Sequence, residues 1–127
     1  MPIEFLYGHR LSEVIRIRLS VNKKMTAEIF KACLLTVVLE TGFFILLGYR
    51  NRRAVTVVIC ANVITNLLLN LTLVLLPDLR SVLIPVGEIL VVLAEYAVYA
   101  AAFGGSARLL VITAAANVLS FTAGYLW

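Results

Sequence analysis

Two glutamates lie inside long apolar stretches of this chain, and their chemistry needs explaining first. Glu40 and Glu95 each stand near the middle of a run of aliphatic and aromatic side chains. A charged carboxylate at the centre of a bilayer costs at least about 2.5–3.5 kcal/mol, and no Lys or Arg lies at the same level to pair with it. Each glutamate must therefore stay protonated, bind a cation or face water. All three states are typical of proton- or cation-linked sites.

Amide and hydroxyl side chains accompany the glutamates at helical spacing. Intervals of three, four and seven residues place side chains on one helical face, and small residues such as Gly42 would let such faces approach closely. Oxygen ligands suit Na⁺, Ca²⁺ or Mg²⁺; no zinc or copper centre and no cofactor is expected. The predicted intramembrane polar site comprises Glu40, Asn62, Thr65, Asn66, Glu95, Tyr99, Asn117 and Ser120, with Glu88 and Asn70 as secondary positions.

A purely structural role is the alternative for these residues. Asparagine and protonated glutamate also join helices, at about 0.6 kcal/mol per hydrogen bond, and this role is favoured for each asparagine taken singly. For Glu40 and Glu95 a functional role is favoured, because glutamine would join helices without the hazard of ionisation. Glu88 lies one to two turns nearer the other membrane face. It is either a second ion-binding position along a transport pathway or a residue at the edge of the site.

The elements that position these residues are four apolar runs, at residues 32–49, 54–76, 81–103 and 107–127. Each is close to the roughly 20 residues that cross a bilayer as a helix. With 62% hydrophobic and 14% charged residues in 127, and a mean hydropathy of +1.02, the chain is too apolar for a small soluble domain. Backbone groups in lipid must be satisfied internally, which favours helices. The sequence predicts an all-α integral membrane protein of four transmembrane helices, and the short connections predict an antiparallel bundle.

The chain also carries a candidate internal repeat. A shift of 55 residues superimposes Glu40 on Glu95, Asn62 on Asn117, and Thr65 on Ser120. Two parallel two-helix repeats would then be related by an axis along the membrane normal. Counted from the nearest loops, both Glu–Asn pairs lie at one depth, roughly 13–15 Å below the same membrane face.

Residues 1–24 differ in composition from the four-helix domain predicted at residues 25–127. Residues 15–21 alternate with period two, which indicates either a short strand or surface segment on anionic headgroups, or a mobile tail translated upstream of a true start at Met25. Basic residues at 10, 16, 18, 23, 24, 31 and 80 outnumber those at 50, 52, 53 and 108, so both termini are predicted to be cytoplasmic. A start at Met25 would invert the protein. Tyr49, Tyr125 and Trp127 are predicted interfacial aromatics.

These patterns favour a small proton- or cation-linked transporter or channel that works as a homodimer in the lipid bilayer of a bacterial plasma membrane. The rival interpretation is a non-catalytic accessory subunit bound to a larger membrane partner. An enzyme is disfavoured, because the only histidine is His9 in the tail and zincin or phosphate-loop motifs are absent. Nucleic-acid binding is not expected without a basic reading face.

Overall fold

The computed structural model describes the backbone of residues 3–126 and the side chains of residues 9–126. Four helices follow one another: α1 over Ile3–Leu46, α2 over Arg52–Leu75, α3 over Arg80–Phe103 and α4 over Ala107–Leu126. A short 3-10 turn at Pro77–Leu79 leads into α3. Each helix contains a stretch long and apolar enough to cross a membrane. The all-α prediction with four such helices is confirmed; Trp127, the predicted end of the fourth span, lies outside the described residues.

The amino-terminal segment differs from its predicted conformation. Residues 15–21, for which alternation suggested a strand, lie within α1, so the strand interpretation is wrong. A lone strand has no partner for its backbone N–H and C=O groups, whereas a helix pairs them within the segment. The chain divides into two compact units between Lys31 and Ala32. The boundary predicted after residue 24 stays a prediction, and the candidate site lies wholly in the second unit.

Helix α1 ends in a Schellman motif, three residues before the predicted end of the first span. Gly48 has φ +105, a conformation that glycine adopts without steric cost. Its N–H donates to the Ile45 carbonyl at 3.2 Å, and the Tyr49 N–H donates to the Phe44 carbonyl at 3.0 Å. The Tyr49 and Phe44 rings, with centroids 5.4 Å apart, supply the apolar contact that often accompanies this motif.

The following helices are bounded by side-chain caps and a second glycine. Asn51 accepts a hydrogen bond from the Ala54 N–H at 2.7 Å at the start of α2. Ser106 accepts one from the Leu109 N–H at 3.1 Å at the start of α4. Gly104, with φ +88, follows the last residue of α3. These caps satisfy backbone donors that a helix end leaves unpaired, and they lie in the predicted connections.

Helix α3 packs closely against both α2 and α4. Helix α1 contacts these helices through two long side chains. Glu40 bonds Ser120 on α4, and the Phe44 ring packs against Tyr99 on α3. Large aliphatic side chains on the outer surface are well exposed, for example Val111 at 66% and Val118 at 64%. Exposed aliphatic side chains on helices of this length are those expected to face lipid.

Two glycines in the spans, Gly42 and Gly87, differ in how closely other side chains approach them. A Cβ at Gly87 would meet the Leu69 side chain, whereas a Cβ at Gly42 has nothing within 4 Å. The close approach expected at Gly42 is therefore found at Gly87. We expect Gly87→Leu to destabilise the protein by about 1–3 kcal/mol through overpacking, and Gly42→Leu to be neutral or stabilising because glycine is a poor helix former. Unfolding in detergent measures both, and equal losses of stability would contradict this packing.

Candidate functional site: a buried carboxylate pair

The Glu95 carboxylate on α3 is fully buried and accepts hydrogen bonds at both oxygens. Thr65 Oγ1 on α2 donates to Glu95 Oε1 at 2.6 Å. Asn117 Nδ2 on α4 donates to Glu95 Oε2 at 2.7 Å. Both distances fall in the short range typical of hydrogen bonds to a carboxylate. Glu95 therefore joins three helices at one point.

The Glu40 carboxylate on α1 is equally buried but only half satisfied. Ser120 Oγ on α4 donates to Glu40 Oε1 at 2.6 Å, while Glu40 Oε2 has no hydrogen-bond partner among the described residues. Ser120 follows Asn117 by three positions, so the two side chains share one face of α4. One short stretch of α4 thus contacts both carboxyl groups, Glu40 through Ser120 and Glu95 through Asn117.

The Asn62 amide on α2 uses its donors and leaves its oxygen free. Asn62 Nδ2 donates to the Val58 carbonyl and to Tyr99 Oη, both at 3.0 Å. Within the described part of the chain, Asn62 Oδ1 is buried with no partner, and the Asn62 side chain lies beside the Glu40 carboxyl. A buried acceptor without a donor costs about 1–3 kcal/mol. A proton on Glu40, or a bound cation, would provide a partner for the unpaired oxygens of Glu40 and Asn62.

The Ser120 and Thr65 hydroxyl groups each have one proton and more than one acceptor within reach. Ser120 Oγ lies 3.0 Å from the Asn117 carbonyl as well as against Glu40. Thr65 Oγ1 lies 3.0 Å from the Ala61 carbonyl as well as against Glu95. A hydroxyl that donates to its own helix can accept a hydrogen bond from the protonated carboxyl, and one that turns toward the carboxyl stabilises the anion. Hydroxyl rotation alone therefore accommodates both protonation states.

An aromatic cluster of four rings, Phe44, Tyr49, Tyr99 and Phe103, covers the pair on the side of the Gly48 and Gly104 turns. The Phe44 and Tyr99 centroids are 5.0 Å apart in an edge-to-face arrangement, and Tyr49 lies 5.4 Å from Phe103. Edge-to-face and offset pairs are favourable geometries for aromatic rings. Sequence reasoning placed only Tyr99 in the site. The missed signal was the spacing, since Phe44 precedes Tyr99 by the same 55 residues that separate Glu40 from Glu95.

The remaining predicted residues lie beside this network. Asn66 and Glu88 line a small cavity of about 30 Å³ whose wall also includes Asn117 and Ser120. A cavity of this size with polar walls can hold a water molecule. Asn70 Nδ2 donates to the Asn66 carbonyl of its own helix at 2.9 Å, away from the carboxylates. Glu88 is half-buried.

The described spans place no Lys or Arg side chain at the level of the pair. Among residues 9–126 the ion pair that the structure contains joins Glu28 to Lys31 at 3.8 Å, and both are exposed. Residues 32–49, 54–76, 81–103 and 109–127 contain no Lys or Arg. Charge on Glu40 or Glu95 must therefore be balanced by a proton or by a mobile cation.

This geometry defines an all-helical protein with four helices able to span a membrane and a carboxylate pair buried between them. No family model, no curated protein and no solved structure matches the chain. Functional inference therefore depends on the site itself.

Proposed function

We propose that this protein is a small proton- or cation-linked transporter or channel whose ion site is the Glu40–Glu95 pair. The observation that carries the proposal is two fully buried carboxyl groups held by neutral donors, with no Lys or Arg in residues 32–49, 54–76, 81–103 and 109–127. A neutral helix-joining role would be served by glutamine at lower cost, since glutamine cannot ionise. Unpartnered oxygens on Glu40 and Asn62 add the acceptors that a proton or a hard cation such as Na⁺, Ca²⁺ or Mg²⁺ requires.

We also propose that the bundle is a duplicated pair of antiparallel hairpins offset by 55 residues. Thr65 of the first half donates to Glu95 of the second, and Ser120 of the second half donates to Glu40 of the first. Such reciprocal bonds between equivalent positions support a twofold relation between parallel repeats. The pairs Asn62–Tyr99 and Thr65–Glu95 run in opposite order along α2 and α3, which supports the antiparallel arrangement.

The working unit proposed here is a homodimer in a bacterial plasma membrane, with both termini in the cytoplasm. Four helices enclose little volume, and the small polar cavity lined by Asn117 and Ser120 holds only about 30 Å³. A second copy is the simplest way to complete a pathway through the bilayer. The orientation follows from the excess of basic residues on the amino-terminal side of the spans.

The rival proposal is an accessory subunit of a larger membrane complex. Its support is the broad exposed aliphatic surface, which another membrane protein could cover. The two proposals differ in what the glutamates must do. An accessory subunit should tolerate glutamine at both positions, whereas an ion-coupled site should not.

Ligand-dependent stability tests the proposed ion site directly. We expect the melting temperature in detergent to depend on pH between about pH 4 and pH 9, or to rise with one of Na⁺, K⁺, Ca²⁺ or Mg²⁺. A ligand that binds only the folded state stabilises it by about 2.7 kcal/mol at a hundredfold excess over Kd. The shift should vanish in Glu40→Gln and Glu95→Gln and persist in Glu28→Gln, which alters an exposed carboxyl. A profile that is flat for the parent would eliminate the ion site.

A further inference from the structure

The polar groups around the carboxylate pair distinguish a proton from a metal cation. Hard cations such as Ca²⁺ and Mg²⁺ take about six or more oxygen ligands, each with a lone pair directed at the ion. A proton bound to a carboxyl group needs only one further acceptor. The number and orientation of the oxygens near Glu40 and Glu95 therefore decide which ion the site can hold.

The amide that faces Glu95 from α4 presents an N–H group and not an oxygen. Asn117 Nδ2 donates to Glu95 Oε2 at 2.7 Å and to the Thr113 carbonyl at 3.0 Å. The second bond fixes the orientation of the amide, because a flipped Asn117 would direct its own oxygen at that carbonyl. An N–H group stabilises a carboxylate and repels a metal cation, so Asn117 is not a metal ligand in this arrangement.

Few free oxygens remain near the pair. Asn62 is fixed in the same way as Asn117, since its Nδ2 donates to the Val58 carbonyl and to Tyr99 Oη. Among the described residues the buried oxygens without a partner are Glu40 Oε2, Asn62 Oδ1 and Thr41 Oγ1. Thr41 directly follows Glu40, so its side chain lies on another side of α1. The oxygens of Glu40 and Asn62 alone are far fewer than the roughly six that a hard cation requires.

The two hydroxyl oxygens lie too close to the carboxylates to share a metal cation with them. Thr65 Oγ1 is 2.6 Å from Glu95 Oε1, and Ser120 Oγ is 2.6 Å from Glu40 Oε1. Oxygens of different side chains around one Mg²⁺ stand about 2.9 Å apart, given octahedral angles and metal–oxygen distances of about 2.1 Å, and they stand farther apart around Ca²⁺. The shorter separation is typical of a hydrogen bond to a carboxylate.

The space beside the pair is also small. The polar cavity that Asn117 and Ser120 share with Glu88 has a volume of about 30 Å³. One water molecule needs roughly 10–15 Å³ of such volume, so the cavity has room for little more than one. Mg²⁺ usually keeps several waters when it binds to a protein, whereas a single water is enough to deliver a proton.

We infer that the ion bound at the Glu40–Glu95 pair is a proton and not a metal cation. On binding, an O–H bond forms at a carboxylate oxygen, and the hydronium ion that delivered the proton becomes water. The neighbouring hydroxyl, Thr65 or Ser120, turns its own proton to a backbone carbonyl of its helix and accepts the new hydrogen bond. This inference rests on the proposed function, because it names the ion of that site.

The other titratable groups that face the pair lie on α3. Glu88 lines the small cavity, and Tyr99 Oη accepts a hydrogen bond from Asn62. From α2 and α4 the described groups are amides and hydroxyls, namely Asn62, Thr65, Asn117 and Ser120. Since Glu88 is the additional carboxyl group, Glu88→Gln separates its signal from that of the pair.

Infrared spectroscopy of the purified full chain in detergent tests the inference, because a protonated carboxyl group has a C=O band that an ionised one lacks. We expect this band to change with pH and to lose part of its intensity change in Glu40→Gln and in Glu95→Gln. Exchange of choline chloride for the chloride of Na⁺, Ca²⁺ or Mg²⁺ at equal ionic strength should alter neither the band nor the melting temperature. Glu28→Gln, at an exposed carboxyl, is the matched control.

Thr65→Val tests the hydroxyl step in the same spectra, since it keeps the shape of the side chain and removes the hydroxyl. The Glu95 part of the band should move to higher wavenumber, as it does when a carboxyl group loses a hydrogen-bond partner. Thr72→Val makes the same change on α2 at an exposed hydroxyl that bonds the Leu68 carbonyl, and it should leave the band in place. Equal spectra for the two variants would contradict the role of Thr65.

A band that ignores pH, or a band and melting temperature that respond to a metal cation, would overturn the inference. Flux assays in liposomes separate it from the transport function. Titration of the pair without any flux would leave the proton site standing and remove transport. Flux of a metal cation that does not depend on pH would leave transport standing and remove the proton.

Discussion

Glutamine at either carboxylate position is expected to abolish ion-coupled flux while the protein still folds. At Glu95, a glutamine carbonyl can accept from Asn117 Nδ2 and its amide can donate to Thr65 Oγ1, which replaces both observed bonds. At Glu40, the carbonyl can accept from Ser120, and the new N–H₂ group takes the place of the unpartnered Oε2 atom. Hydrogen bonding is kept, and only the exchangeable proton and the negative charge are lost.

The expected size of the flux defect is about a hundredfold or more, comparable to removal of a positioned proton-transfer group. Proton or cation uptake into liposomes that contain the purified protein measures it. Melting temperatures of both variants should equal or exceed that of the parent, because the observed hydrogen bonds are kept and no buried carboxyl group is left to ionise. Glu28→Gln serves as the control for a lost carboxylate at an exposed position. Parental flux in both site variants would remove the carboxylate mechanism and favour the accessory-subunit proposal.

The helices were predictable because their cause is local. An apolar run of about 20 residues must form a helix in lipid whatever its neighbours are, so α2, α3 and α4 begin and end close to the predicted spans. The apolar run alone did not predict where α1 ends. Gly48 closes a Schellman motif there, and this assignment depends on knowing that its φ is positive. The amino-terminal part of α1 was not predicted, because alternation over residues 15–21 favours a strand or surface segment and the basic composition favours a mobile tail, whereas the segment is helical.

The site was predictable as a set of residues but not as a set of bonds. Helical spacing groups Asn117 with Ser120 on α4, yet spacing does not show that Ser120 bonds Glu40 while Asn117 bonds Glu95. Those assignments depend on helix rotation and separation, which lipid-facing aliphatic residues do not encode strongly. Asn66 and Asn70 show the same limit. They share the spacing of Asn62, but one lines the small cavity and the other bonds its own helix.

Removal of the Phe44 ring is expected to cause the largest loss of stability. Phe44 is 1% exposed and its ring contacts Tyr49 and Tyr99 in the aromatic cluster. Phe→Ala in a core costs about 3–5 kcal/mol in soluble proteins. In a bilayer the transfer part of that cost is small, because lipid is as apolar as the core. We therefore expect Phe44→Ala to cost about 2–3 kcal/mol, measured by unfolding in lipid–detergent mixtures.

Phe30→Ala is the matched control, since it makes the same change on the same helix at a side chain that is 68% exposed. Its expected effect is within about 0.5 kcal/mol. The cavity left by Phe44→Ala also lies one helical turn from Glu40, where it would admit water to the carboxylate pair from the side of the Gly48 turn. In flux assays this variant should therefore leak protons in the absence of a coupled substrate. Phe44→Leu keeps most of the side-chain volume and should show no proton leak. Equal stability of the Phe44 and Phe30 variants, with no leak in either, would mean that the aromatic cluster neither supports the bundle nor seals the site.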